Sequence, residues 1–364
     1  MAAVTVLRVI DLEHDRPHTL SDLADLLTPW AIRVAVTLRL PELIDEGLTR
    51  VDELADRVSA DTVALGRLLR LLACRGVLVE STTGEYALTD ISREMMSESA
   101  RKWLDLDGAG NRLEASYSGL LESIRTGEAA YPKTFGCSVW RDFESSSGLA
   151  ESFGAYLVEL AGRWGPELVE RYGWSRVSKV VDVGGGDGTL LGLLLTAHPA
   201  MRGVLVDLPA TTLAARRRLA AAGVLDRCEV VAGSFFERLP IGGEVYVLAQ
   251  VLHDWPDAEA SAILRRCVEA AGEGGRVLVI ERVRCTGRPG QPVDEALAAM
   301  DLRMLLLIGS LERSAAQFAR LAEDAGLALG SQAVIGEFSL LEFVVRASPA
   351  RSAKSVRLSV SAGN

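Results

Sequence analysis

The sequence has no surplus of positive charge. Lys and Arg number 39 against 49 Asp and Glu, for a formal net charge of −10 and a pI near 5.1. A nucleic-acid binder needs a basic face to displace counterions, so this balance argues against one. Long apolar runs are also missing. None approaches the roughly 18 to 20 residues that span a bilayer. The opening MAAVTVLRVIDLEHD is broken early by Arg8 and Asp11 and lacks the basic, apolar, small-residue order of a signal peptide. A cytoplasmic protein without membrane partners is expected. Cysteine is scarce and scattered. Cys74, Cys137, Cys228, Cys267 and Cys285 are odd in number and form no C-x-x-C pair. Neither a zinc knuckle nor a disulfide framework is indicated, and no metal is expected. Histidine occurs four times, as His14, His18, His198 and His253.

The 364-residue chain is 49% hydrophobic and 24% charged. That is enough for two or three domains with full cores. Residues 1–100 read as helical. Leu65, Leu68, Leu69 and Leu72 place one apolar face on a helix over 61–75, with Asp61 or Ser59 as its cap. Gly76 stops it, and GVLVE…TTGEYALT reads as two short strands. Helices followed by a hairpin predict a winged-helix-like domain. Its candidate recognition helix carries Arg67, Arg70 and Arg75 but is dominated by leucine, with Asp52, Glu53, Asp56 and Asp61 before it. It is suited to packing against protein, not to reading base edges, and a second subunit is the expected partner.

Aromatic residues make up only 5% of the chain yet concentrate in 101–175. This segment reads as a helical connection that contributes to a pocket for a flat, apolar ligand. Trp140, Phe143 and Phe153, with Met304 and Ile308 further on, are the candidate wall. From 176 to 346 strands and helices alternate, and the strands are continuous apolar runs, as in a parallel sheet covered on both faces. The tail 347–364 is small, polar and basic and reads as disordered.

The segment KVVDVGGGDGTLL from Lys179 is a strand, a glycine loop and a helix start. Such a loop could hold NAD, FAD or S-adenosylmethionine. Nearly contiguous glycines depart from G-x-G-x-x-G. Asp182 and Asp187 flank the loop, which suits a cation and would repel phosphates. Asp207 ends the next strand about twenty residues on, where a carboxylate takes ribose hydroxyls in either cofactor type. His253, in LAQVLHDWPD, sits at the carboxyl end of a strand on the same sheet edge.

VDVGGGDGTLL, VDLPAT, AGSFFERLP, VLHDWPD and LERSAAQFARLAEDAGL occur in this order. They resemble the class I S-adenosylmethionine-dependent small-molecule O-methyltransferases, which include plant caffeate-type and actinobacterial polyketide-tailoring enzymes. The resemblance covers nearly the whole chain. It implies an α/β, Rossmann-like, doubly wound methyltransferase domain preceded by a mostly helical, winged-helix-like dimerisation domain. It implies S-adenosyl-L-methionine as cofactor, a homodimer, and an aromatic small-molecule substrate with a phenolic or similar hydroxyl. His253 would be the general base, oriented by Glu281 and Glu312, with Asp254 beside it. Asp182, Gly184, Gly186, Asp207, Leu208, Ser234, Phe235, Gln250 and Trp255 would hold the cofactor. Asp207 would take the ribose, Phe235 the adenine, and Gly184 and Gly186 the methionine part. Two positions depart from the pattern. Ser234 stands where many relatives have aspartate, and Ala249 where plant members have lysine. The rival readings are a same-fold enzyme with other chemistry such as hydroxylation, an NAD-dependent dehydrogenase, and a winged-helix regulator.

Overall fold

The computed structural model describes residues 19–82, 84–283 and 294–347. His14, His18, Cys285 and the tail from residue 348 lie outside the described residues. The chain divides into two units between residues 111 and 112, within the segment read above as a connection.

In the first unit the helix Thr62–Cys74 begins where the Asp61 carboxylate accepts the Ala64 N–H at 2.8 Å. That bond satisfies a donor left over by the first turn. Leu65, Leu69 and Leu72 are buried, while Arg67 and Arg70 on the other face are exposed. Ser59 closes the preceding helix with φ of 55° and does not cap this one. Strands β1 (Leu78–Glu80) and β2 (Tyr86–Leu88) then pair antiparallel.

The second unit is built on a seven-stranded sheet. In chain order the strands are β3 (Lys179–Val183), β4 (Arg202–Asp207), β5 (Cys228–Ala232), β6 (Val245–Ala249), β7 (Arg276–Glu281), β8 (Leu327–Ile335) and β9 (Phe338–Val345). Their spatial order is β5-β4-β3-β6-β7-β9-β8, with β3 to β7 parallel and β9 antiparallel to both β7 and β8. Successive residues alternate between two buried layers. Val180, Leu205 and Val245 pack with Leu191, Leu194 and Trp164 on one face. Val181, Val204 and Tyr246 pack with Ile263, Cys267 and Phe318 on the other. Burial on both faces is why these strands read as unbroken apolar runs.

After β3 the chain first builds outward through β4 and β5. It then returns to place β6 on the other side of β3. β3 and β6 are thus neighbouring strands whose connections lead to opposite sides of the sheet, the topological switch point where ligands bind in sheets of this kind.

Candidate active site

The glycine loop follows β3. Gly184 has φ of 71°, and a Cβ there would lie 2.9 Å from Val251 Cγ2 and 3.5 Å from Phe235 Cε1. Glycine is required on both counts, and the loop is thereby pressed against the segment that follows β6. Gly186 has φ of 57° and open space where a Cβ would sit. Asp207 lies across from it. Its carboxylate accepts the Gly186 N–H at 2.8 Å and the Leu208 N–H at 2.7 Å. Leu208 then caps the helix Pro209–Ala221. Asp182 is buried beneath the loop, with Oδ2 lacking a hydrogen-bond partner. Burial, together with Asp207 and Asp187, pushes its carboxyl up to about 7.

Asp187 plays a different part from the one its sequence position suggested. Oδ1 accepts from the N–H and hydroxyl of Thr189, and Oδ2 accepts from Arg218 Nε at 2.6 Å. Its charge is committed to a helix start and an arginine. The cradle wall is aromatic. Phe235, Phe236 and Trp255 meet edge to face, with Phe235 and Trp255 centroids 5.8 Å apart. Ser234 Oγ accepts the Phe236 N–H at 3.2 Å, which turns the chain through this cluster.

The segment after β6 is held with unusual completeness. Gln250 adopts φ of 54°, and its N–H donates to Ile280 O at 2.9 Å. The next three N–H groups, of Val251, Leu252 and His253, all donate to Glu281 Oε1 at 3.1, 2.8 and 3.3 Å. Glu281 thus grips the backbone of the loop, not the imidazole. The ring is held by Glu312, whose Oε1 lies 3.0 Å from Nδ1. The Glu312 N–H in turn donates to Asp301 Oδ1 at 2.7 Å. A neutral ring that donates Nδ1–H to Glu312 carries its lone pair on Nε2. Asp254 Oδ1 lies 3.4 Å from it.

Burial by itself would lower the His253 pKa, but Asp254, Glu281 and Glu312 outweigh it and push the imidazole up to about 10. Burial raises Asp254 to about 6 and Glu281 to about 7, His253 opposing in both cases. Glu281 and Glu312 are fully buried, and Oε2 of each has no hydrogen-bond partner. A tightly enclosed acid cluster therefore surrounds one base on the edge where the glycine loop opens.

Trp140, Phe143 and Phe153 come together with one another and with Tyr156. Met304 and Ile308 lie on the helix Glu295–Ile308, which packs against the turn Leu252–Asp254. The residue that sequence reasoning passed over is Arg313. It stands beside Glu312 in the motif LERSAAQFARLAEDAGL, where no role was given to it.

Residues 117–328 match the O-methyltransferase domain and residues 26–98 the O-methyltransferase dimerisation domain. The chain belongs to the S-adenosylmethionine-dependent O-methyltransferase family. Among its relatives is the 2,7-dihydroxy-5-methyl-1-naphthoate 7-O-methyltransferase of Streptomyces carzinostaticus, 43% identical over 88% of this chain and 95% of that protein. Another is the aclacinomycin 10-hydroxylase RdmB of Streptomyces purpurascens, 37% identical over 94% of each chain. The crystal structure of the O-methyltransferase NcsB1 from neocarzinostatin biosynthesis was solved with S-adenosylmethionine and 2-hydroxy-5-methyl naphthoic acid. It superposes with a TM-score of 0.83 at 42% identity, covering 90% of this chain and 99% of that one.

Proposed function

We propose that the chain methylates a phenolic or similar hydroxyl of an aromatic metabolite, with His253 Nε2 as the general base. The observation that carries this reading is the acid-bracketed imidazole on the crevice edge, with Glu312 3.0 Å from Nδ1. The cradle fits the cofactor. Bare backbone at Gly186, the paired oxygens of Asp207 and the rings of Phe235 and Trp255 offer contacts for methionine, ribose and adenine. Bound S-adenosylmethionine supplies an electrophilic methyl on a sulfonium.

The residues of the chain do the rest. A phenol has a pKa near 10, so only about one part in 10³ is ionised at neutral pH. An imidazole raised to about 10 is matched to that proton, so transfer from the phenol to the neutral ring is close to thermoneutral. Because only about one part in 10³ of such a ring is neutral at pH 7, the rate it supports is expected to climb as the pH rises toward 10. The product of transfer is an imidazolium, and Glu312 and Asp254 stabilise it where it forms. General-base assistance of this kind contributes typically 10²- to 10⁴-fold. The aromatics Trp140, Phe143 and Phe153 with Met304 and Ile308 are proposed to wall the acceptor, and residues 101–175 to carry part of that pocket.

In the first unit Leu23, Leu26, Leu27 and Trp30 are 71%, 76%, 65% and 51% exposed. Together with the dimerisation-domain match they support a homodimer formed through this unit. No described helix is long and apolar enough to cross a membrane.

His253→Ala, assayed by mass spectrometry of the methylated product, tests the base. The expected loss of turnover is about 10²-fold or more, and less than about tenfold refutes the assignment. The hydroxylase relative keeps a second reading alive, namely the same cofactor site with a hydroxylated product. An acceptor that gains oxygen instead of a methyl group would establish it.

A further inference from the structure

We infer that Arg313 is the positioning residue that fixes the reach of His253, a role that rests on the general-base reading above. Its side chain is fully buried. Nη1 donates to Leu252 O at 2.7 Å, and Nη2 donates to Trp255 O at 2.7 Å. Nε and Nη2 both donate to Asp257 Oδ1, at 3.0 and 2.8 Å.

The loop is therefore clasped from two sides. Its amides at 250–253 run onto Ile280 and Glu281 at the end of β7. Two of its carbonyls, one on each side of His253 and Asp254, run onto Arg313. Because Arg313 follows Glu312 directly, one dipeptide holds the ring of the base and the backbone that carries it. Any movement of this dipeptide carries both contacts together.

A buried guanidinium is costly, and an apolar side chain of similar volume usually serves packing at least as well. What an apolar side chain cannot do is take two carbonyls and a carboxylate at once. The planar fork of arginine does this in fixed directions, and the single ammonium of lysine cannot. The cation is used here for geometry. A displacement of about 1 Å at a reacting group can cost about 10²-fold in rate.

The experiment is a double-mutant cycle on the whole enzyme with Arg313→Lys, His253→Ala and the pair. Binding of S-adenosylhomocysteine by calorimetry reports that each variant retains its fold. Arg313→Lys is expected to lower kcat by about 10- to 100-fold. KM for the acceptor should stay within about threefold, while the affinity for S-adenosylhomocysteine reads separately any disturbance of Trp255, whose carbonyl this arginine also holds. Amide exchange at 251–253 should quicken. In the His253→Ala background the same substitution should cost less than about twofold, because a residue acting through the base has nothing left to position. A loss of equal size in both backgrounds overturns the proposal, as does a kcat within about twofold of the parent.

If Arg313→Lys does not bind S-adenosylhomocysteine, Asp257→Ala takes its place in the cycle. That carboxylate is 71% exposed and accepts two of the four guanidinium bonds described here. Its removal should lower kcat only where His253 is present, and an unchanged kcat overturns the proposal. Failure of the underlying reading is seen separately. If His253→Ala alone keeps its turnover, the base assignment falls and takes this proposal with it. An inert Arg313 leaves the base assignment standing.

Discussion

Replacing Asp254 by asparagine tests whether the acid cluster sets the strength of the base. Asp254 Oδ1 lies 3.4 Å from His253 Nε2. At an effective dielectric constant of about 20 the attraction to an imidazolium is roughly 5 kcal/mol, and burial of both groups offsets part of it. A neighbouring opposite charge at such range typically moves a pKa by about 1 to 3 units. The sign is fixed. Asp254 favours the charged imidazole, so its loss lowers the His253 pKa from about 10, and the neutral base becomes available at lower pH. The base that remains is also weaker, so the rate at the alkaline plateau falls. The assay is kcat/KM for the acceptor from pH 6 to 10 with cofactor saturating. It is run with two acceptors of different phenolic pKa, so that a limb belonging to the acceptor is recognised by following it. The parent should rise with pH into the alkaline range. Asp254→Asn should rise about 1 to 3 units earlier toward a lower plateau. A limb that stays in place or moves to higher pH would show that Asp254 does not hold the imidazolium.

Three further outcomes are expected. Gly184→Ala forces a side chain into a positive-φ position 2.9 Å from Val251 Cγ2. Strain and overpacking of about 2 to 4 kcal/mol together should weaken S-adenosylhomocysteine binding by more than tenfold in calorimetry. Asp207→Ala removes an acceptor for a ribose and for the Gly186 N–H. Hydrogen bonds to a charged group are worth about 1.5 to 3 kcal/mol, so affinity for the same ligand should drop about 10- to 100-fold, and a change under twofold would remove Asp207 from the cofactor site. Leu191→Ala empties a fully buried position in the layer behind β3. It should cost about 2 to 5 kcal/mol of stability in urea melts, with the slope unchanged.

Legibility in the sequence followed burial. Strands β3, β4, β6 and β7 are covered on both faces and stand out as apolar runs. The glycine loop and His253 were placed on one edge from strand–loop–helix order alone. Strand β8 was not read, because most of its residues are exposed and its middle, Gly330 to Gln332, is polar and carries a register shift. At a sheet edge that is tolerated, and no periodicity remains to detect. Contacts between distant side chains were also out of reach. The capture of Asp187 by Arg218 joins positions 31 apart in sequence. It commits a charge that its sequence position had offered to a cation, and no local pattern signals it. Glu281 and Glu312 could be singled out as partners of the histidine, but their division of labour could not. One carboxylate takes three amides and the other takes a ring nitrogen, a difference that exists only once β7 has been laid beside β6.

The fastening of the His253 loop has a consequence for how such an enzyme diversifies. The hydrogen-bond anchors described for it come from positions 257, 280–281 and 312–313. None comes from the helices Val139–Ser145 and Ser147–Arg171, where the aromatic cluster lies. Substitutions in those helices can reshape the surface offered to an acceptor while the base keeps its bearing. On the proposed reading, part of the choice of molecule is then inherited apart from the base, the exception being Met304 and Ile308, whose helix also carries the Asp301 carboxylate that accepts the Glu312 N–H.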